Sequence, residues 1–166
     1  MSWLVGHYRC LSIMPRSSEF YQIMTEKYSN PVPVAVALIP CNNKLVAIRR
    51  GIQPRLGEIA FPGGYISTGE TFKEALTREV FEETGIQIAA EEWKILHVGD
   101  SLQSDRILLF GVCRPIVPEK IHLDFRCAET LQVLLIDPTD ATIELAFDLH
   151  KQAMLEYVRS ITVSRR

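Results

Sequence analysis

The sequence predicts an α/β sandwich in a single domain. Two observations support this prediction: strand-like, β-branched segments occur on both sides of one amphipathic helix, and a second amphipathic helix comes near the end of the chain. The chain has 166 residues, of which 47% are hydrophobic and 23% are charged. This length and composition suffice for one domain with a buried core.

Charge and cysteine content argue against several kinds of partner. A formal net charge of -2 gives no electrostatic reason to expect a nucleic-acid duplex or an anionic membrane. No apolar run approaches the length of about 18 residues that a membrane span needs. The four cysteines are widely separated and form no C-x-x-C pair, which argues against a zinc site or a disulfide framework. We therefore expect a cytoplasmic protein with reduced thiols, and the sequence leaves a homodimer open.

The first elements after the N-terminal region predict strands and a loop. Residues 1–30 show no clean period and are interpreted as an arm or extension, which leaves residues 31–166 as the domain. The segments VPVAVALIP and KLVAIRR predict two strands joined by a short turn. The Gly- and Pro-rich segment GIQPRLGEIAFPGGYISTGE predicts a loop that contains a short strand, EIAF. Such a loop before a helix is a natural place for a site.

A helix is predicted to begin after Thr71, because Thr71 and Glu74 have the spacing of a capping box, and to end at Gly85. Its apolar stripe is formed by Phe72, Ala75, Leu76 and Val80. Downstream, IQIAA, WKILHVGDS, RILLFGVCRPIV and TLQVLLID predict further strands, and TIELAFDLHKQAMLEYVRSI predicts the second helix.

The C-terminal end of the first helix is acidic in a way that should be unfavourable. Glu79 and Glu83 lie on the face of the apolar stripe, with Glu82 beside them. Like charges at this spacing each cost about 0.2 to 0.5 kcal/mol, and the helix dipole adds a similar penalty. Arg78 can pair with Glu74 or Glu82, but one guanidinium cannot neutralise the cluster. Three carboxylates suit Mg²⁺ or Mn²⁺, although the same spacing also occurs on ordinary solvated helices.

Residues 64–86, GYISTGETFKEALTREVFEETGI, resemble the Nudix box, G-x5-E-x7-R-E-U-x-E-E-x-G-U, where U is a bulky aliphatic residue. Every defined position is filled, by Gly64, Glu70, Arg78, Glu79, Val80, Glu82, Glu83, Gly85 and Ile86. A looser likeness runs from the strand at Val32 to the helix that ends near Tyr157. The chain is thereby identified as resembling MutT-like Nudix hydrolases.

The resemblance implies a fold, a reaction and roles for the box residues. The fold would be the Nudix fold, an α/β/α sandwich with a mixed central sheet, and the reaction would be metal-dependent cleavage of a nucleoside diphosphate linked to another group. By position, the carboxylates of Glu79, Glu82 and Glu83 and the carbonyl of Gly64 would be ligands of Mg²⁺ or Mn²⁺. Arg78 would orient a carboxylate, and Glu70 would support it.

The general base is left open by the resemblance, because members of this family take it from different places. Glu82 or Glu83 is a candidate. Outside the box, Glu129 in RCAETLQVLLID resembles an acidic residue often found there in related enzymes, and the alternative is an ordinary surface carboxylate at the start of a strand.

Substrate contacts are expected from residues around the Gly-rich loop. Arg49, Arg50 and Arg55 lie just upstream of it, and we expect one of them to meet a phosphate or a base. Tyr65 is a candidate for stacking on a nucleobase. His150, on the last helix, is expected to be structural.

The substrate class is the least specified expectation. The chain looks like the bacterial ADP-ribose or NADH pyrophosphatases, but it has no zinc-ribbon cysteines before Asn30 and no S-Q-P-W-P-F-P array. A proline about fifteen residues beyond the box, as in many ADP-ribose enzymes, is also missing, because the nearest downstream proline is Pro115. We expect an ADP-ribose-like or dinucleotide substrate first. The alternatives are nucleoside triphosphates, coenzyme A, or a non-catalytic Nudix-fold sensor that binds a nucleotide sugar.

Overall fold

A seven-stranded mixed sheet with two α-helices forms the part of the protein that the structure, a computed structural model, describes: residues 30–101 and 105–163. The strand order is β3-β2-β1-β6-β5, while β4 also pairs with β1 and β7 with β2. The elements are β1 (Val32–Cys41), β2 (Lys44–Arg50), β3 (Ile59–Ala60), β4 (Gly63–Tyr65), α1 (Phe72–Thr84), β5 (Lys94–Asp100), β6 (Arg106–Val112), β7 (Thr130–Ile136) and α2 (Asp148–Val163). The predicted α/β class is confirmed.

Strand β1 organises the sheet because it pairs with three other strands. It runs parallel to β6, with Ala35 opposite Leu109, and antiparallel to β4, with Ala35 opposite Gly64. Its C-terminal half forms a hairpin with β2, in which Ile39 lies opposite Val46. The short strand β4, which carries the first residue of the predicted box, is therefore fixed in the middle of the domain.

The two helices cover opposite faces of the sheet. One buried cluster joins α1 to the sheet through Ala35, Ile39, Leu76, Val80 and Trp93. A second cluster joins α2 to the other face through Leu38, Phe110, Ala153, Met154 and Tyr157. Side chains alternate between these clusters along β1, as the two-residue period of a strand requires. The result is the α/β/α sandwich that the Nudix resemblance implies.

Three features differ from the sequence-based prediction. The segment IQIAA is not a strand: Ile86 and Ile88 are buried against the α1 side of the core, and a 3-10 turn follows at Ala90–Glu92. The last helix begins at Asp148, six residues later than predicted, because the preceding segment pairs with β3 through a bridge between Ile59 and Leu145. Strand β4 was not predicted.

Two further predictions concern the ends of the chain and membranes. The predicted arm, residues 1–30, lies outside the described residues except for Asn30, so that domain boundary stays a prediction. No helix in the described part of the chain is long and apolar enough to cross a membrane.

Candidate active site

Helix α1 is capped at both ends, which fixes where its acidic residues lie. The Thr71 hydroxyl accepts from the Glu74 amide at 3.3 Å, and the Thr71 amide donates to Oε2 of Glu74 at 2.8 Å. At the other end, Gly85 adopts a left-handed conformation with a φ of 71° and donates to the Phe81 carbonyl. The predicted caps are confirmed. Glu74 therefore stabilises the helix start and does not pair with Arg78.

Arg78 is the centre of a carboxylate network. Its Nε and Nη2 donate to the two oxygens of Glu70 at 2.8 and 2.9 Å. Its Nη1 donates to Glu79 at 2.6 Å and to Glu82 at 3.2 Å, and Nη2 also reaches the Tyr65 carbonyl at 3.0 Å. Hydrogen bonds from Arg78 hold the pKa of Glu70 below its ordinary value. One guanidinium thus links the loop before α1 to three carboxylates.

Glu83 is the buried carboxylate of the site, with 4% of its surface exposed. Burial is the main cause that raises its pKa to about 8, and the negative charges of Glu79 and Glu129 act in the same direction. A hydrogen bond from the Gly63 amide and the positive charge of Arg50 oppose this shift. The glutamate is therefore a buried acid in a polar setting, and a bound cation would favour its charged form.

Gly64 and Glu79 lie against each other with no room for a side chain at position 64. A Cβ built on Gly64 would overlap the Glu79 carboxylate. Burial raises the pKa of Glu79, while the hydrogen bond from Arg78 lowers it. The glycine thus lets the backbone of β4 and this carboxylate approach each other closely.

The oxygen chemistry of these residues fits a hard divalent cation such as Mg²⁺ or Mn²⁺. Glu79, Glu82, Glu83 and the backbone of Gly64 offer only oxygen ligands, and Oε1 of Glu83 has no hydrogen-bond donor among the described residues. Within residues 30–101 and 105–163, however, no three acidic, cysteine or histidine side chains are already arranged as a metal site. Arg78 binds one oxygen of Glu79 and one of Glu82, and the Gly63 amide binds one oxygen of Glu83.

Of the three candidate arginines, Arg50 is the one whose charge acts on Glu83. Its Nε donates to the Pro54 carbonyl at 2.9 Å, and its guanidinium carbon lies 5.2 Å from the centre of the Phe147 ring. Its two terminal nitrogens form no hydrogen bond within the described part of the chain. The contacts of its Nε and of its guanidinium carbon therefore hold Arg50 in place, and its Nη1 and Nη2 can bind an anion.

Arg49 and Arg55 are arranged differently. Arg49 precedes Arg50 on β2 and so points to the opposite face of the sheet, where its Nη1 donates to the Gly57 carbonyl at 2.8 Å. Arg55 is exposed and forms a 3.4 Å ion pair with Glu58. Their roles in substrate binding stay predictions.

Glu129 and Tyr65 lie at the edges of the site. Glu129 is exposed, immediately before β7, and its negative charge adds to burial, the main cause, in raising the pKa of Glu79 and Glu83. Tyr65 is 53% exposed. It neighbours Gly64 in β4 and so points away from the α1 face, while its carbonyl accepts from Arg78. Both assigned roles stay predictions.

His150 is buried in an aromatic cluster with Phe61, Phe110 and Phe147. Its Nδ1 accepts a 3.1 Å hydrogen bond from the Phe61 amide, and its ring stacks against Phe61 at 5.8 Å. Burial lowers its pKa to about 3. Its contacts are those of the structural histidine that the sequence analysis expects.

Two residues near the site were missed by the sequence analysis. Phe147 supports Arg50, but it lies in the segment that was assigned to the last helix. Gly51 donates to the Glu129 carbonyl, but only the pairing of β2 with β7 brings these residues together. No local pattern could have found either contact.

The family model of the NUDIX domain matches residues 31–146. The chain belongs to the Nudix family. Among its relatives, an ADP-ribose pyrophosphatase from Methanocaldococcus jannaschii is 41% identical over 59 residues, which are 36% of this chain and 35% of that protein. The chain therefore matches only about a third of that relative's length, so this likeness shows kinship within the family and does not assign an activity.

Solved structures of other Nudix proteins share the fold. The NUDIX domain of Shewanella oneidensis NrtR, complexed with ADP ribose, superposes with a TM-score of 0.72 at 16% identity, covering 89% of this chain and 99% of that one. A bifunctional NMN adenylyltransferase/ADP ribose pyrophosphatase from Francisella tularensis, complexed with AMP and a manganese ion, gives 0.67 at 21% identity, covering 86% and 46%. At these identities the likeness shows the Nudix fold alone.

Proposed function

We propose that this protein is a divalent-metal-dependent pyrophosphohydrolase that acts on a nucleoside diphosphate linked to another group, with an ADP-ribose-like or dinucleotide compound as substrate. The observation that supports this most is the acidic end of α1. There the buried Glu83 lies beside Glu79 and Glu82, which share the single guanidinium of Arg78. An ordinary solvated helix would not bury two of three such carboxylates.

The α1 carboxylates and Gly64 would hold Mg²⁺ or Mn²⁺. When bound, a divalent cation neutralises charge on the pyrophosphate oxygens and makes water a competent nucleophile near neutral pH. Arg78 would keep Glu79 and Glu82 oriented through its fixed bidentate contact with Glu70. The second oxygens of Glu79 and Glu82, which Arg78 does not bind, would be available as ligands.

Arg50 would bind the diphosphate. Its terminal nitrogens form no hydrogen bond within the described residues, its charge acts on Glu83, and the Phe147 ring and the Pro54 carbonyl fix the rest of its side chain. A guanidinium whose geometry is set before binding loses less conformational entropy when it contacts a phosphate. Arg49, Arg55 and Tyr65 would contribute to substrate binding away from the contact of Arg50 with the diphosphate.

Glu129 would take the proton from the attacking water. It is exposed, it carries a negative charge close to Glu83, and it is not engaged by Arg78. Attack by water at one phosphorus breaks the bond to the bridging oxygen and releases two phosphate monoesters. Glu82 and Glu83 are the alternative bases. For Glu83, the hydrogen bond from Gly63 and the shielded position make a ligand role fit better.

The substrate assignment draws on the relatives. An ADP-ribose pyrophosphatase is similar in sequence, and a Nudix domain with the same fold binds ADP ribose. The test is turnover of ADP-ribose, NADH, coenzyme A, diadenosine polyphosphates and nucleoside triphosphates with Mg²⁺ and with Mn²⁺. One preferred diphosphate supports the proposal. Preference for a triphosphate or coenzyme A supports those alternatives, and tight binding of ADP-ribose without turnover supports the sensor alternative.

Glu82→Gln tests the catalytic role of the acidic cluster. It should abolish most turnover and leave the fold unchanged, because Glu82 is exposed and its amide replacement can still accept from Arg78. Glu91→Gln is the matched control, since Glu91 is an exposed glutamate outside α1. An unchanged rate in Glu82→Gln would remove this residue from the mechanism.

We also propose a cytoplasmic enzyme whose partner is a small nucleotide and not a duplex or a membrane. The three cysteines in the described residues, Cys41, Cys113 and Cys127, form no disulfide. A homodimer is compatible with the proposal, because the site is built from residues of a single chain.

A further inference from the structure

Gly51 connects the end of β2 to the residue that we propose as the general base. Its amide nitrogen donates a 2.7 Å hydrogen bond to the Glu129 carbonyl. It directly follows Arg50, which lies opposite Thr130 in the pairing of β2 with β7. A single backbone position thus joins strand β2, which carries Arg50, to residues 128–130. These three residues form the corner that carries Glu129.

The corner leaves no space for a side chain at position 51. A Cβ built on Gly51 would lie 2.7 Å from the carbonyl oxygen of Ala128, 3.0 Å from the carbonyl carbon of Glu129 and 3.1 Å from the amide nitrogen of Thr130. All three atoms belong to the backbone. They cannot rotate aside as a side chain would, so a larger residue must move the corner itself.

The corner is also constrained from within. The Cys127 amide donates to the Thr130 carbonyl at 3.1 Å, which closes a short turn around residues 128 and 129. Thr130 is fully buried, while Glu129 is exposed. The β2–β7 register shifts beside Arg49 and Arg50, as at a β-bulge, and bulges commonly redirect a side chain at a site. The direction of Glu129 therefore depends on the contact with Gly51.

We propose that Gly51 is a positioning residue that fixes the direction of the Glu129 side chain by close backbone packing against residues 128–130. The expected loss of kcat rests on the proposed function, whereas the expected displacement of Glu129 does not. Glycine is needed for proximity and not for an unusual backbone angle. Any side chain at position 51, however small, is expected to displace the Glu129 carboxylate.

Gly51→Ala tests this, with Gly99→Ala as the matched control. A Cβ at Gly99 would meet mainly the flexible end of the Leu149 side chain, on a strand remote from the acidic cluster. Gly51→Ala should lower kcat about 10- to 100-fold, as displacement of a reacting group by about 1 Å does, with KM changed less than about threefold. Gly99→Ala should keep both values. Wild-type kinetics in Gly51→Ala would overturn the inference.

A double-mutant cycle separates positioning from a general structural effect. If Gly51 acts through Glu129, then Gly51→Ala should cost little further kcat in a Glu129→Gln background. Additive losses would overturn the inference while leaving the proposed function intact. No hydrolysis of any nucleotide by the wild-type protein would instead contradict the proposed function.

Amide measurements on the metal-free protein test the inference without any turnover. The Gly51 amide should exchange slowly with solvent in the wild type, because it donates to the Glu129 carbonyl, and Gly51→Ala should shift the amide resonances of residues 128–130. Rapid exchange at Gly51 in the wild type would overturn the inference even if Gly51→Ala did not fold.

Discussion

The Gly63 amide donates a 2.8 Å hydrogen bond to Oε2 of Glu83 and so joins strand β4 to the last turn of α1. Glu83 is one of the most buried charged residues among those described, and this backbone donor is the only hydrogen-bond partner of its carboxylate there. The contact stabilises one orientation of the carboxylate while leaving its other oxygen open. A cation site needs both a carboxylate held in one orientation and an oxygen left open for the cation.

Glu83→Gln should remove the stabilisation of the protein by metal ions while keeping its metal-free stability. The amide oxygen of glutamine can still accept from Gly63, but the negative charge is lost. Wild-type protein should unfold at a higher temperature in millimolar Mn²⁺ than in EDTA, because ligands that bind only the folded state stabilise it. The variant should show little of this rise in a thermal unfolding experiment, and Glu91→Gln should show all of it. A full rise in Glu83→Gln would exclude Glu83 as a ligand.

Arg78→Lys should reduce catalytic efficiency without unfolding the domain. A lysine ammonium cannot contact both oxygens of Glu70 and also reach Glu79 and Glu82, because it lacks the planar fork of a guanidinium. We expect kcat/KM to fall about 10- to 100-fold, the usual range when a residue that orients metal ligands is changed.

The control for Arg78→Lys is Arg114→Lys. Arg114 also makes a bidentate pair, with the two oxygens of Glu92 at 2.6 Å each, but it lies outside the acidic cluster and is exposed. Its replacement should leave steady-state kinetics unchanged. Equal effects in the two variants would mean that the Arg78 network has no special part in catalysis.

Thr77→Val should destabilise the fold. The Thr77 hydroxyl accepts from the Trp93 indole at 3.1 Å and donates to the Ile88 carbonyl at 3.0 Å. Trp93 is fully buried, so the change leaves its N–H without a partner, at a cost of about 1 to 3 kcal/mol in the free energy of unfolding. Urea denaturation measures this cost. Thr68→Val, at an exposed position, should stay within about 0.5 kcal/mol of wild type.

His150 should make the protein less stable as the pH falls. Its pKa is about 3 in the folded protein, below its ordinary value of 6.5, so only the unfolded chain takes up a proton between these values. Its contribution is fully present above pH 6.5 and is lost toward pH 3, at about 1.4 kcal/mol per pH unit.

Replacing His150 isolates this effect. His150→Gln keeps an acceptor for the Phe61 amide and removes the titration, so its free energy of unfolding should fall less steeply with decreasing pH than that of wild type. The exposed His122 offers the control, and His122→Gln should reproduce the wild-type slope. An unchanged slope in His150→Gln would contradict the buried, neutral state of this ring.

Helix α1 could be predicted from sequence because its signals are local. Thr71, Glu74 and Gly85 act within a few residues of themselves, and their side chains or backbone angles define the ends of the helix. Ile86 and Ile88 gave a wrong strand, because alternating apolar residues can fill a core without pairing to another strand. The start of α2 was misplaced because Leu145 pairs with β3, which is a contact between distant residues.

The candidate site divides in the same way. The box residues follow one another on a single helix, so spacing alone brings Glu79, Glu82 and Glu83 together. The difference between Arg49 and Arg50 depends on which face of β2 each occupies, and that follows only once the strand pairs with β7. The contact of Gly51 with Glu129 likewise requires the assembled sheet.

Phosphorus NMR of ADP-ribose incubated with the wild-type protein, first in EDTA and then with excess Mg²⁺, tests the central claim most directly. The account predicts an unchanged diphosphate signal in EDTA and its replacement by two phosphate monoester signals once Mg²⁺ is present. Cleavage that proceeds equally well in EDTA would contradict it, as would a diphosphate that stays intact with Mg²⁺ and Mn²⁺ for every nucleotide in the panel.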